Sequence, residues 1–152
     1  MLRRATEALF LIASALTCYA AKPADFAGRW ELNVKESSFG SLTKPARMTI
    51  DCTVNGDEMH SVTTTYLQQD NQAIESTWYL DGKRHPTDKP VPGYSITRWQ
   101  DGLLISEVGS NDGAYKQIIR LTLSSDGKTV TEEVQTKTPN GNNREKLIWQ
   151  KK

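Results

Sequence analysis

Between residues 45 and 54, apolar and polar side chains alternate. Met48, Ile50, Cys52 and Val54 are apolar, while Arg47, Thr49, Asp51 and Thr53 between them are polar. Period two puts one set on each face of an extended chain, so this segment predicts a strand with one buried face. Similar short runs rich in Val, Ile, Thr, Tyr and Trp follow one another from residue 28 onwards. Turn signals punctuate them at Asn55-Gly56, Asp81-Gly82, Asp101-Gly102, Asp112-Gly113, Asp126-Gly127 and Asn140-Gly141. Asn-Gly and Asp-Gly supply the positive φ angles that tight hairpins need. The pattern predicts strands near 28–35, 45–54, 59–67, 73–80, 93–100, 103–109, 114–124, 128–137 and 144–150, with a short extra strand at 83–86. No long run has helical period, and residues 36–43 read as one helical turn or a loop.

The last three strands allow a register to be written. A two-residue turn at Asp126-Gly127 sets Leu123 opposite Val130, Leu121 opposite Glu132 and Ile119 opposite Val134. A turn at Asn140-Gly141 sets Val134 opposite Leu147 and Glu132 opposite Trp149. One face then carries the rows Ile119–Val134–Leu147 and Leu121–Glu132–Trp149. The other face sets Arg120 beside Glu133, a cross-strand pair of opposite charge. Nine or ten consecutive antiparallel strands leave edges that invite pairing with other chains, and closure removes them. The predicted fold is all-β, an antiparallel up-and-down β-barrel of about 8–10 strands, with room for side chains or one small ligand.

Ahead of the strands, Arg3 and Arg4 precede the apolar run 8–16 and the small residues Cys18 and Ala20. Basic, apolar and small segments in that order predict a secretory signal peptide over residues 1–20, cleaved before Ala21. The apolar run falls well short of the ~20 residues that span a bilayer. Residues 21–152 are therefore predicted to form a single β-barrel domain without a transmembrane segment. Ala15-Leu16-Thr17 is a poor lead-in for a lipid anchor at Cys18. Without the signal, Cys52 is the only thiol, and the chain holds no Asn-x-Ser/Thr sequon. Both features favour export to a bacterial periplasm or exterior.

Charge and composition narrow the function classes. Lys and Arg number 19 against 18 Asp and Glu, which leaves no broad electrostatic footprint for nucleic acid. Two cysteines exclude a disulfide-dense scaffold and a Cys-based zinc site. His60 and His85 show no ligand spacing with each other or with Cys52 and read as solvent-exposed. No nucleophile motif such as G-x-S-x-G is present. The expectation is a protein that is not an enzyme and uses no metal or cofactor.

Phe26-Ala27-Gly28-Arg29-Trp30-Glu31-Leu32 resembles the first-strand G-x-W signature of the calycins, the group of lipocalins and fatty-acid-binding proteins. It stands just after the predicted signal and opens an all-β meander of matching length. The resemblance implies a calycin-like barrel that holds an apolar or amphipathic small molecule. It brings no set of ligand contacts with it. Thr87-Asp88 lies in a Pro-rich stretch rather than in a later strand, where lipocalins carry a T-D-Y-like motif. The segment Arg144-Glu145-Lys146-Leu147-Ile148-Trp149 lacks the Tyr of the R-x-Y carboxylate clamp of fatty-acid-binding proteins. No helical lid is legible.

Five residues are candidate ligand contacts. Trp78 shares a face with Ile74 and Leu80 and is a lining residue. Glu132, on the face of Val130 and Val134, is either a polar anchor or a barrel-end residue reached by water. Arg98 and Glu107 are diagonal neighbours across the Asp101-Gly102 turn, on the face of Tyr94 and Leu103. Turned inward they form an interior ion pair or a ligand anchor; turned outward they are an ordinary surface pair. The two faces of 93–109 are nearly equal in apolar content, so the pattern does not choose between them. Trp30 and Trp149 stand in alternating apolar rows and read as core, and Cys52 reads as a small buried hydrophobe. The expected function is an exported barrel for a small lipophilic ligand. The alternative is a secreted or envelope protein-binding module, an inhibitor or adaptor, whose protein partner is met by the loop Arg84–Gly93, stiffened by Pro86, Pro90 and Pro92.

Overall fold

The computed structural model describes residues 21–67 and 70–152; the predicted signal peptide and Cys18 lie outside them. A 3-10 turn over Pro23–Phe26 leads into ten strands. These are β1 (Gly28–Leu32), β2 (Arg47–Asn55), β3 (Glu58–Tyr66), β4 (Asn71–Tyr79) and β5 (Asp81–Thr87), followed by β6 (Gly93–Gln100), β7 (Leu103–Ser110), β8 (Lys116–Leu123), β9 (Thr129–Thr138) and β10 (Gly141–Lys151). Each strand pairs antiparallel with its neighbours, in the order β4-β3-β2-β1-β10-β9-β8-β7-β6-β5. The first and last strands meet, with Trp30 opposite Lys151 and Leu32 opposite Trp149. The chain is thus an all-β, ten-stranded, antiparallel up-and-down barrel, closed except for a gap between β4 and β5. Only Leu80 connects those two strands, and no ladder joins them. No helix among the described residues is long and apolar enough to cross a membrane.

The core follows the alternation. Leu104, Val108, Ile119, Leu123, Val130, Val134, Leu147 and Trp149 are buried on the inner face of β7 to β10. Arg120 stands opposite Glu133 on the outer face. The 3-10 turn closes one end of the barrel. There Phe26 meets Trp99 edge to face at 5.9 Å, and the Trp30 Nε1–H donates to the Phe26 carbonyl at 2.8 Å. The long connection from β1 to β2 has no helix and runs beside β10, where Ser38 pairs with Lys146, Ser37 Oγ accepts from the Ile148 amide and the Ser41 amide donates to Asn143 Oδ1.

Register between β8 and β9 is as the Asp126-Gly127 turn dictates, with Leu121 opposite Glu132 and Ile119 opposite Val134. The next hairpin differs. Its turn is Pro139-Asn140, with Thr138 paired to Gly141, so Glu132 lies opposite Leu147 and Trp149 opposite Val130. Proline suits the first corner of such a turn. Thr138 Oγ1 accepts from the Asn140 amide and donates to the Gly141 carbonyl, which fixes the corner one residue early. Gly141 then opens β10 at φ +134, a conformation that side chains rarely adopt. The shift slides the pairing by two, so every side chain keeps its face. Asp81-Gly82 is likewise not a hairpin turn; it forms a bulge in β5 between Asp81 and Arg84.

Candidate functional site

Near the closed end, the inner face leaves a cavity of about 130 Å³. Its walls come from inward positions of seven strands and from Phe26 of the 3-10 turn. Three indoles line it, those of Trp30, Trp78 and Trp149. Trp78 stands opposite Met59, which is buried and also lines the cavity. Ile50, Leu121 and Val130 add aliphatic surface, and Ser61, Thr63 and Ser76 add hydroxyls on the β3–β4 side. Ile74 shares the inward face of Ser76 and Trp78 on the edge strand β4, yet it is 50% exposed. An inward apolar side chain is wet there because β5 does not cover it. Ile74 therefore stands at the gap, one inward position beyond Ser76 and opposite Thr63.

Among the described residues, Glu132 is the one acidic side chain of this lining. Its Oε2 accepts a 2.7 Å hydrogen bond from Trp149 Nε1–H. Its Oε1 has no partner among the described residues. Burial pushes the carboxyl up to about 7; the Trp149 bond works against this, and the negative charge of nearby Glu145 adds to it. Glu145 is also raised, mainly by burial, with the Asn143 Nδ2–H bond opposing. Cys52 borders the cavity, and burial raises its thiol to about 11, against the charge of Lys151. A thiol so protonated acts as a small apolar group. At the far end, Gln117, Thr136, Asn143 and Glu145 line a second, more polar recess of about 410 Å³, edged by Leu42.

Trp78 and Glu132 thus meet at the cavity, whereas Tyr94, Arg98 and Glu107 stand on the outer wall. The inward residues of β6 and β7 include Thr97, Trp99, Leu104, Ser106 and Val108. The Thr97 and Ser106 hydroxyls bond each other at 2.8 Å, which makes their burial cheap. Outside, the Arg84 guanidinium lies 3.6 Å over the Tyr94 ring, and the Tyr94 hydroxyl donates to Glu107 Oε1 at 3.0 Å. Glu107 pairs with Lys116 at 3.1 Å rather than with Arg98, whose Nε–H donates to Gln100. His60 is exposed, 3.9 Å from Glu75. His85 is not a solvated loop residue. It sits in β5, half-buried, stacked on Tyr79 at 4.2 Å and bonded to Asp81 at 3.0 Å. The indoles of Trp30 and Trp149, read from sequence as core, are both core and cavity wall; their place in the inward rows is the signal that identifies them.

No family model matches the chain, and no curated protein matches it in sequence. Solved structures do match. Fatty-acid-binding protein 1 of Echinococcus granulosus superposes with a TM-score of 0.60 at 13% identity, over 84% of this chain and 97% of that one. Zebrafish ileal bile acid-binding protein, complexed with cholic acid, gives 0.55 at 17%, over 84% and 99%. A secretory abundant heat soluble protein of Ramazzottius varieornatus gives 0.60 at 11%, over 86% and 98%. At these identities the likeness is one of fold, and the fold is calycin-like.

Proposed function

We propose that this calycin-like barrel is an exported, non-enzymatic binding protein for a small apolar or amphipathic molecule, held in the indole-lined cavity with Glu132 as polar anchor. The observation that carries this reading is the cavity itself, an apolar hollow lined by one half-buried carboxyl whose Oε1 takes no hydrogen bond from the described residues. Pockets of this make-up, apolar walls with few polar groups, are those that orient small ligands. Two of the structural neighbours are by name fatty-acid- and bile-acid-binding proteins, which supports the reading. The basic, apolar and small segments of residues 1–20 support export.

Size bounds the occupant. About 130 Å³ is below the roughly 300–1,000 Å³ that encloses a drug-sized ligand. It is close to the ~150 Å³ apolar cavity that takes benzene. The cavity therefore holds a ring or a branched head, and any longer chain runs out past Ile74 through the gap between β4 and β5. Displacement of a neutral apolar fluorophore such as N-phenyl-1-naphthylamine from the mature chain tests this. Filling the cavity with Leu121→Trp should abolish binding while the variant still melts cooperatively. Unchanged binding in that variant overturns the reading.

A further inference from the structure

Resting on that reading, we propose that the ligand presents a cationic head, an alkylammonium or a hydrophobic amine, to the indole cavity, and that carboxylate-headed lipids are disfavoured. Three features of the cavity carry this. Its ring-bearing walls are the indoles of Trp30, Trp78 and Trp149 with Phe26, and aromatic faces attract ammonium groups, tryptophan most of all. Its carboxyl, Glu132, keeps Oε2 on Trp149 and leaves Oε1 free to accept. Finally, no Lys, Arg or His among the described residues lines it.

The charges around the cavity have the same sense. Glu145 is a second inward carboxyl, two pairing steps along β10, and its charge reaches Glu132. The neighbouring thiol, Cys52, stays neutral. Lys151, on the exposed rim of the closed end, is a cation whose charge acts on the lining residue Cys52. Its Nζ sits 5.1 Å from the Trp30 ring centroid and donates to the Asp25 carbonyl at 3.3 Å, so it is directed to the rim rather than to Glu132. His85 faces Tyr79 and Asp81. An anionic head entering this cavity meets the Glu132 carboxyl, and the cation whose charge reaches the lining, Lys151, is held at the rim. An ammonium head meets aromatic faces and a charge-assisted acceptor. The cavity's volume also matches a compact head such as trimethylammonium better than a long bent chain.

Decyltrimethylammonium, decanol and decanoate share one chain and differ in head, so they separate the possibilities when each displaces the neutral fluorophore. At pH 8 the ammonium should bind at least about tenfold tighter than decanoate, with decanol between them. In Glu132→Gln the preference for ammonium over decanol should fall several-fold while decanol affinity holds. Should that variant fold poorly, the unmodified protein at pH 5, with Glu132 protonated, must show the same loss. Decanoate binding as tightly as the ammonium, or a preference that survives both tests, overturns the cationic-head proposal and leaves the cavity-binding reading standing. Failure of all three probes to displace the fluorophore overturns both.

Discussion

Trp149 Nε1–H donates to Glu132 Oε2 across 2.7 Å, from a position diagonal to it on the adjacent strand. It is the only donor to that carboxyl among the described residues, and it does not offset the burial that pushes Glu132 up to about 7. A carboxyl whose folded value is raised is penalised when ionised. Stability is therefore highest with Glu132 protonated, is lost as pH rises from the ordinary carboxylate range through about 7, and then levels. Between pH 5 and pH 8 the unmodified protein should lose roughly 2–3 kcal/mol relative to Glu132→Gln, which keeps the acceptor and cannot ionise. Urea unfolding of both proteins at the two pH values measures this. A difference that does not change with pH disproves the assignment.

Trp149→Phe removes the donor and keeps most of the ring. The variant should lose about 1–3 kcal/mol, because a buried charged or polar acceptor is left unpaired. The loss should be larger at pH 8 than at pH 5. The carboxyl should also titrate above its value in the unmodified protein, read by carbon NMR of the Glu132 side chain. A titration that moves down instead means that the indole is not the group that holds the charge.

On the opposite wall, the Thr97 and Ser106 hydroxyls are each 1% exposed and bond only to each other. Ser106→Ala should cost about 1–3 kcal/mol by orphaning the Thr97 hydroxyl. Adding Thr97→Val should restore much of that loss, since both partners are then apolar. A double-mutant cycle by thermal unfolding gives the coupling, and simple additivity of the two single losses contradicts it.

Ile74 lies at the lip of the gap and is half in solvent, so Ile74→Asn should change stability by less than about 0.5 kcal/mol. The fluorophore should nevertheless bind more slowly, by several-fold in stopped-flow traces, because its path crosses that side chain. An unaltered on-rate places access elsewhere.

The fold was legible because period two and Gly-bearing turns are local signals. Strand limits from β2 to β9 follow from them within a few residues, as does the β8–β9 register. The Pro139-Asn140 corner was hidden behind the stronger Asn140-Gly141 signal, though the inward set survived because the slip was even. The inward face of β6 and β7 was not legible. Thr97 and Ser106 satisfy each other inside, while Ile96, Leu103 and Ile105 lie outside, so hydropathy cancels there. Of the cavity lining, Trp78 and Glu132 were legible as candidate contacts. The bond from Trp149 to Glu132 and the contribution of Phe26 depend on tertiary packing, which alternation alone does not encode. Nor does any local pattern mark the interruption between β4 and β5, since both segments read as ordinary strands.

The pairing of β1 with β10 sets when this molecule becomes whole. Trp30 finds Lys151 only after nearly all of the intervening chain has been made and released. Contacts this distant in sequence are slow to form, on the order of milliseconds to seconds for β architectures. Until that seam closes, five residues of β1 expose an unsatisfied edge on one side, and the indoles of Trp30 and Trp149 have no shared interior to occupy. The shared interior therefore exists only once this seam is made, and any binding activity begins with it.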